Sequence, residues 1–123
     1  MALAEVMPSR ARAALKACLF EPGAGGPASF DADFDCCRLD GAEIRSAREL
    51  ESAIAGGRLA NITGAFAFAR VDNSGSLTLG RDAVGERTLF YAETPRGLAY
   101  GASIRDLIGA GLVEPRLNLR AVA

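Results

Sequence analysis

Histidine is absent from the 123 residues of this chain, and so is tryptophan. Without an imidazole, the chain by itself excludes Ser-His and Cys-His dyads, imidazole general-base chemistry and histidine-ligated metal sites. Lysine is nearly absent too: Lys16 stands alone among 14 basic residues, the rest being arginine. Cys18, Cys36 and Cys37 are an odd number without paired spacing, which excludes the disulfide framework of a small secreted domain. No apolar run approaches the ~20 residues of a membrane span. Glu5, Arg10, Arg12 and Lys16 occupy the place where a signal peptide carries its apolar segment, so a cytoplasmic location is the expectation. A net charge of -1 gives no reason to expect nucleic acid or an anionic membrane as a partner.

What is present describes one globular domain over residues 1–123. Half of the residues are apolar and 24% are charged, enough for a core and too few charges for disorder. From Gly64 onward the pattern is strong. Phe66, Phe68 and Arg70 alternate with Ala65, Ala67, Ala69 and Val71, so one strand face is bulky and the other small, as suits a central strand covered on both sides. Asn73-Ser74-Gly75 is turn chemistry, and strands are expected over 76–80, 88–92 and 98–101, with Thr94-Pro95-Arg96-Gly97 turning between the last two. The expectation is a meander of antiparallel hairpins.

Two helix starts are legible. Ser46-Ala47-Arg48-Glu49 is a capping box, and its helix should run through Leu50 and Ile54 to stop at Gly56-Gly57. Ser103-Ile104-Arg105-Asp106 places serine at the cap with an acid three residues on, for a helix ending near residues 109–111. Residues 117–122 read as a short tail or the beginning of another helix. Upstream, residues 8–19 fit a helix, with a strand ending at Phe20 as the alternative, and residues 22–27 a loop. Residues 30–39 alternate, with Phe30, Ala32, Phe34 and Cys36 directed inward and Asp31, Asp33, Asp35 and Cys37 outward.

These residues together resemble a known family. Gly64-Ala-Phe-Ala-Phe-Ala-Arg-Val-Asp72, then Leu79-Gly-Arg-Asp-Ala-Val-Gly-Glu-Arg-Thr-Leu-Phe-Tyr91, then Gly97-Leu-Ala-Tyr-Gly-Ala-Ser-Ile-Arg-Asp-Leu-Ile108 are similar to the second half of the glutamine-hydrolysing (type 2 amidotransferase) domain of asparagine synthetases. The resemblance covers about residues 39–123 and is strongest over 64–108. It implies an α+β fold, a shortened N-terminal-nucleophile-like layered sandwich of antiparallel sheets and flanking helices. In that family an N-terminal cysteine attacks the glutamine amide with its own amine as base, and an Asn-Gly pair forms the oxyanion hole.

Transferred residue by residue, that machinery is degenerate. The chain begins Met1-Ala2, where the resemblance calls for cysteine after the initiator. Leu39-Asp40-Gly41-Ala42-Glu43-Ile44 stands where the family has its Asn-Gly run, so Asp40 and Gly41 occupy the oxyanion-hole positions and a carboxylate replaces the amide. The family's Gly-Ser-Asp segment is missing. Cys18 is the alternative nucleophile if seventeen residues are removed, although Cys18-Leu19-Phe20 differs from the family's Cys-Gly-Ile; otherwise it is apolar filler. Arg81, Asp82 and Gly85 form the family's structural or docking motif, read alternatively as an ion pair at a strand end with Gly85 supplying a positive-φ turn. Asp31, Asp33 and Asp35 read as a solvated strand face, being too widely spaced to share an ion.

No phosphate-binding loop is present, so no cofactor is expected and the chain cannot adenylate a carboxylate by itself. Residues 112–119 resemble the connector leading from glutaminase to synthetase in longer relatives. The expectation is a non-hydrolysing docking module for an ATP-dependent amide-forming synthetase. The alternatives are an active glutamine-hydrolysing subunit after processing, and a structural remnant that self-associates as a homo-oligomer through its sheet edges.

Overall fold

The computed structural model describes residues 15–23, 25–115 and 120–121. Among these described residues, eight strands and two helices follow one another as β1 (Cys18–Phe20), β2 (Ser29–Leu39), β3 (Ala42–Glu43), α1 (Ala47–Ala55), β4 (Ile62–Val71), β5 (Leu77–Arg81), β6 (Phe90–Thr94), β7 (Gly97–Gly101), α2 (Ile104–Gly109) and β8 (Arg120–Ala121). A short 3-10 turn at Leu59–Asn61 leads into β4. The strands form two four-stranded antiparallel sheets, ordered β3-β2-β4-β5 and β1-β7-β6-β8. The fold is a small α+β layered sandwich.

β4 is central in its sheet, and both of its faces are used. Phe66 and Phe68 stack beside each other, with ring centroids 6.3 Å apart, under Leu50 and Ala53 of α1. The opposite face carries Ala65, Ala67 and Ala69, all buried, where the short side chains admit a second layer. Ala67 and Leu79 meet Leu15, Leu89 and Ala102 there, which joins this sheet to the segments flanking β6 and β7. Beyond them α2 places Leu107 on Ala92 and Ala99, closing the stack. Full burial of a leucine such as Leu50 or Leu107 contributes about 2–3 kcal/mol, so each helix has one fully buried leucine as its anchor.

Both helices begin where serine announces them. Ser46 Oγ accepts the Glu49 N–H at 3.2 Å, and Ser103 Oγ accepts the Asp106 N–H at 3.0 Å. Glu49 reaches back to the Arg45 N–H, one residue before the cap, at 2.6 Å. α1 ends at Gly56 and Gly57, the latter at φ 78.

Three expectations are corrected. The strands from β4 to β7 are two hairpins in two different sheets, because the segment after Arg81 is tied down and leaves the first sheet instead of turning back along it. The alternation of β2 breaks at a bulge between Asp35 and Arg38, where Cys36 adopts φ 55. One extra residue shifts every later side chain to the other face, so Cys37 is fully buried and Cys36 exposed, opposite to the simple period-two reading. At the C-terminal end, residues 120–121 form a strand against β6, where the sequence reads as a short tail or the beginning of another helix. Upstream, of the two alternatives, the strand ending at Phe20 is the one formed over residues 18–20, and residues 8–14 of the helix option lie outside the described residues.

Candidate functional site

Asp40 and Gly41 form the two-residue turn between β2 and β3, at φ 51 and φ 87. Both angles are positive, as a hairpin turn of this length requires, and Asp-Gly is a pair that tolerates them. The Asp40 carboxylate points back at the connection between α1 and β4. Arg58 donates from its guanidinium to one carboxylate oxygen, and Asn61 donates from Nδ2 to the other at 2.8 Å. The Asp40 N–H donates to the Asn61 carbonyl at 3.2 Å, and Arg38 donates to the Gly41 carbonyl at 3.1 Å. Four contacts therefore hold this turn, and Arg58 opposes the charge that Asp40 introduces. A groove of about 330 Å³ opens beside it, lined by Leu39, Ala42, Ile44, Glu49 and Arg58 among others.

Cys18 lies elsewhere, as the first residue of β1 in the other sheet, and does not line that groove. It is directly opposite Tyr100 of β7, so the two side chains share one face. Tyr100 is 5% exposed, and burial, followed by a hydrogen bond to the Cys18 thiol, holds its phenol above the ordinary range. The Asp31 carboxylate adds to that shift from the facing sheet. Cys18 and Asp31, both exposed, are thus the neighbours that act on the buried Tyr100 phenol. Leu15, Lys16 and Ala17 precede Cys18, so its nitrogen is a peptide amide and supplies no base while they remain attached.

The other two thiols are no better prepared. Cys37 is buried against β4, and desolvation pushes its thiol up to about 11; the thiol donates to the Ala65 carbonyl at 3.2 Å. Cys36 is exposed, but a hydrogen bond to the Asp35 carboxylate raises its pKa. All three cysteines are free.

Arg81, Asp82 and Gly85 do sit together, but not as an ion pair. Asp82, 2% exposed, accepts the N–H groups of Phe66 at 3.1 Å, Glu86 at 2.9 Å and Arg87 at 3.1 Å. Burial alone would raise its pKa; the backbone donors from Glu86, Phe66 and Arg87 outweigh it and hold the carboxyl below the ordinary range. Asp82 therefore organises the loop that follows it, and Gly85 at φ 75 turns as expected. Arg87 reaches across to Asp33 at 3.2 Å and Asp35 at 3.7 Å, which corrects the reading of that strand face as simply solvated. Among the described residues no cluster of three or more Asp, Glu or Cys side chains could hold a metal ion.

Sequence reasoning missed Arg58, Asn61, Tyr100 and Arg87. The Asp-Gly dipeptide between two strand patterns was a hairpin signal that would have placed Asp40 in a positive-φ turn. Its partners come from distant segments and carry no local signature.

The structure is a layered α+β sandwich, and the family assignment comes from comparison. A family model described as glutamine amidotransferase domain matches residues 42–109, more than half of the chain, and the chain belongs to that family. No curated protein and no solved structure matches it significantly.

Proposed function

We propose that this chain is a degenerate domain of the asparagine synthetase type within that family, one that does not hydrolyse glutamine. It serves in the cytoplasm as a docking module for an ATP-dependent synthetase that forms amide bonds. The observation that carries the reading is Asp40. At the position where the resemblance puts an amide donor for the oxyanion, a carboxylate stands, and Arg58 and Asn61 hold it there. Acyl transfer needs donors aimed at the developing negative charge, and a fixed carboxylate opposes that charge. The thiols support the same reading, since Cys37 is desolvated and Cys36 lies beside the Asp35 carboxylate.

The test is affinity purification of the tagged full chain from its native lysate, paired with a glutamate-release assay on the purified protein. The expected outcome is an ATP-dependent synthetase in stoichiometric amount and no glutamate above background. Glutamate release, or labelling of Cys18 by a glutamine-like diazoketone, overturns the reading.

One observation favours a second reading, glutamine hydrolysis after removal of seventeen residues. Cys18 heads the edge strand β1 as an exposed residue opposite Tyr100, so a new N-terminus there would place an amine and a thiol together at an accessible position. Intact mass measurement of the native protein decides between the two.

A further inference from the structure

We propose that β5 is the edge at which this chain pairs with a second copy of itself, two β5 strands joining antiparallel about Leu79. The inference is independent of the docking reading above. Among the described residues the two sheets end on β3 and β5 and on β1 and β8. β1 is three residues long and β3 and β8 are two each, whereas β5 has five. A short edge strand offers little to pair with; charges, prolines and bulges guard the longer ones. β2 reaches past β3, but that stretch carries Asp31, Asp33 and Asp35 and ends in the bulge. β5 has no such guard: Leu77-Thr78-Leu79-Gly80 is uncharged, and its register with β4 is unbroken from Leu77 to Arg81.

The ladder decides what that edge presents. In an antiparallel pair, alternate residues exchange their backbone bonds with the neighbouring strand, and the residues between aim theirs away. The Asp82 N–H donates to the Phe66 carbonyl at 2.8 Å and the Asp72 N–H to the Ser76 carbonyl at 3.1 Å, which fixes the phase. Residues 76, 78, 80 and 82 therefore face β4, and Leu77, Leu79 and Arg81 direct their N–H and C=O groups outward. Among the described residues no backbone group takes them up. Three outward residues at a spacing of two are symmetric about the middle one. A second β5 turned end for end sets Leu79 opposite Leu79 and Leu77 opposite Arg81, so every outward donor meets an acceptor. Another protein's edge would need a matching register, which a second copy carries by construction. The side chains agree. Leu77 and Leu79 are partly exposed on one face, where the two Leu79 side chains meet, and on the other face Thr78 meets Gly80, which offers nothing to collide with. A net charge of -1 leaves little repulsion between copies.

Sedimentation of the purified full chain at micromolar concentrations is expected to show a monomer in equilibrium with a dimer. Leu77→Lys sets a cation opposite Arg81 at both ends of the symmetric pair, and Leu77→Glu sets an anion there. Both remove the same apolar side chain, so the difference between them reads the register. Leu77→Lys is expected to dimerise about tenfold more weakly than Leu77→Glu, and added salt to narrow the gap. Amide exchange in the wild type needs no variant. The N–H groups of Leu77, Leu79 and Arg81 should slow as the dimer forms, while those of Thr78 and Gly80, already bonded to β4, are protected throughout. Melting midpoints of both variants separate lost pairing from lost fold. A chain that stays monomeric at every concentration overturns the inference. So does a dimer that Leu77→Lys and Leu77→Glu affect equally, or one in which the three outward amides exchange no more slowly. None of these results touches the docking reading, which the purification from lysate tests.

Discussion

Gly64 stands so close to Cys36 that a Cβ on it would lie 2.4 Å from the Cys36 carbonyl oxygen. Gly64 is at φ 110 and Cys36 at φ 55, so two residues in left-handed territory face each other across β2 and β4. Their contact is what lets the bulge exist, and the bulge is what sends Cys37 into the core beneath α1.

Gly64→Ala is therefore expected to destabilise the fold by roughly 2–4 kcal/mol, combining a backbone clash with a disfavoured φ. Urea unfolding measures the loss. Thiol titration in the native state should also change: the wild type offers Cys18 and Cys36 quickly and protects Cys37, and Gly64→Ala exposes the third thiol. An unchanged midpoint would show that the bulge does not depend on this glycine.

Cys36→Asn tests the same bulge from the other side. Asparagine tolerates the left-handed region better than cysteine does. The melting midpoint is expected to rise by about 4 °C, with Cys37 still protected. A fall in midpoint would mean that the hydrogen bond from Cys36 to Asp35 outweighs the backbone strain.

Asp82 sets the acid limit of stability for its loop. Its folded pKa is depressed, so its contribution is present above the ordinary carboxylate pKa of about 3.9 and is lost as pH falls through the lower folded value. Asp82→Asn is expected to cost about 2 kcal/mol or more near neutrality, because an amide accepts the three N–H groups less well than a carboxylate. The same variant should show a flatter loss of stability in acid than the wild type. Equal acid limbs for the two proteins would sink the assignment.

Cys37 governs the alkaline side. Its thiol is raised to about 11, so the stability it contributes as a neutral group is complete below 9.0, the ordinary value, and fades as pH rises toward 11. Cys37→Ala is expected to lose stability at pH 7 and to show less alkaline dependence than the wild type in urea midpoints measured from pH 8 to 11. A steeper alkaline loss in the variant would contradict this.

Asp40→Asn restores the amide that the family resemblance calls for. Its side chain is about half exposed and Asn can still meet Arg58 and Asn61, so stability should change by less than about 1 kcal/mol. No glutamate release is expected from this variant, since the amide alone supplies neither nucleophile nor base. Release above background would mean that one of the thiols is competent and that Asp40 was the sole block.

The capped helices, the alternation of β4 and the hairpin turn at Pro95 were determined by the sequence, because each rests on contacts a few residues long. Ser46 and Ser103 needed only the N–H three residues on, and Phe66 and Phe68 needed only a period of two. The resemblance over residues 64–108 was legible for the same reason, since its motif is a string of neighbours, and a family match over 42–109 agrees with it as far as a glutamine amidotransferase domain. The tertiary structure decided what depends on distant partners. A one-residue bulge, permitted by Gly64 from another strand, chose which cysteine is buried. Backbone groups, one of them on β4, took Asp82 away from Arg81, and Arg87 crossed between layers to Asp33. Arg58 and Asn61 settled where the Asp40 carboxylate points. No period or propensity encodes such meetings, because they arise only when the layers close on one another.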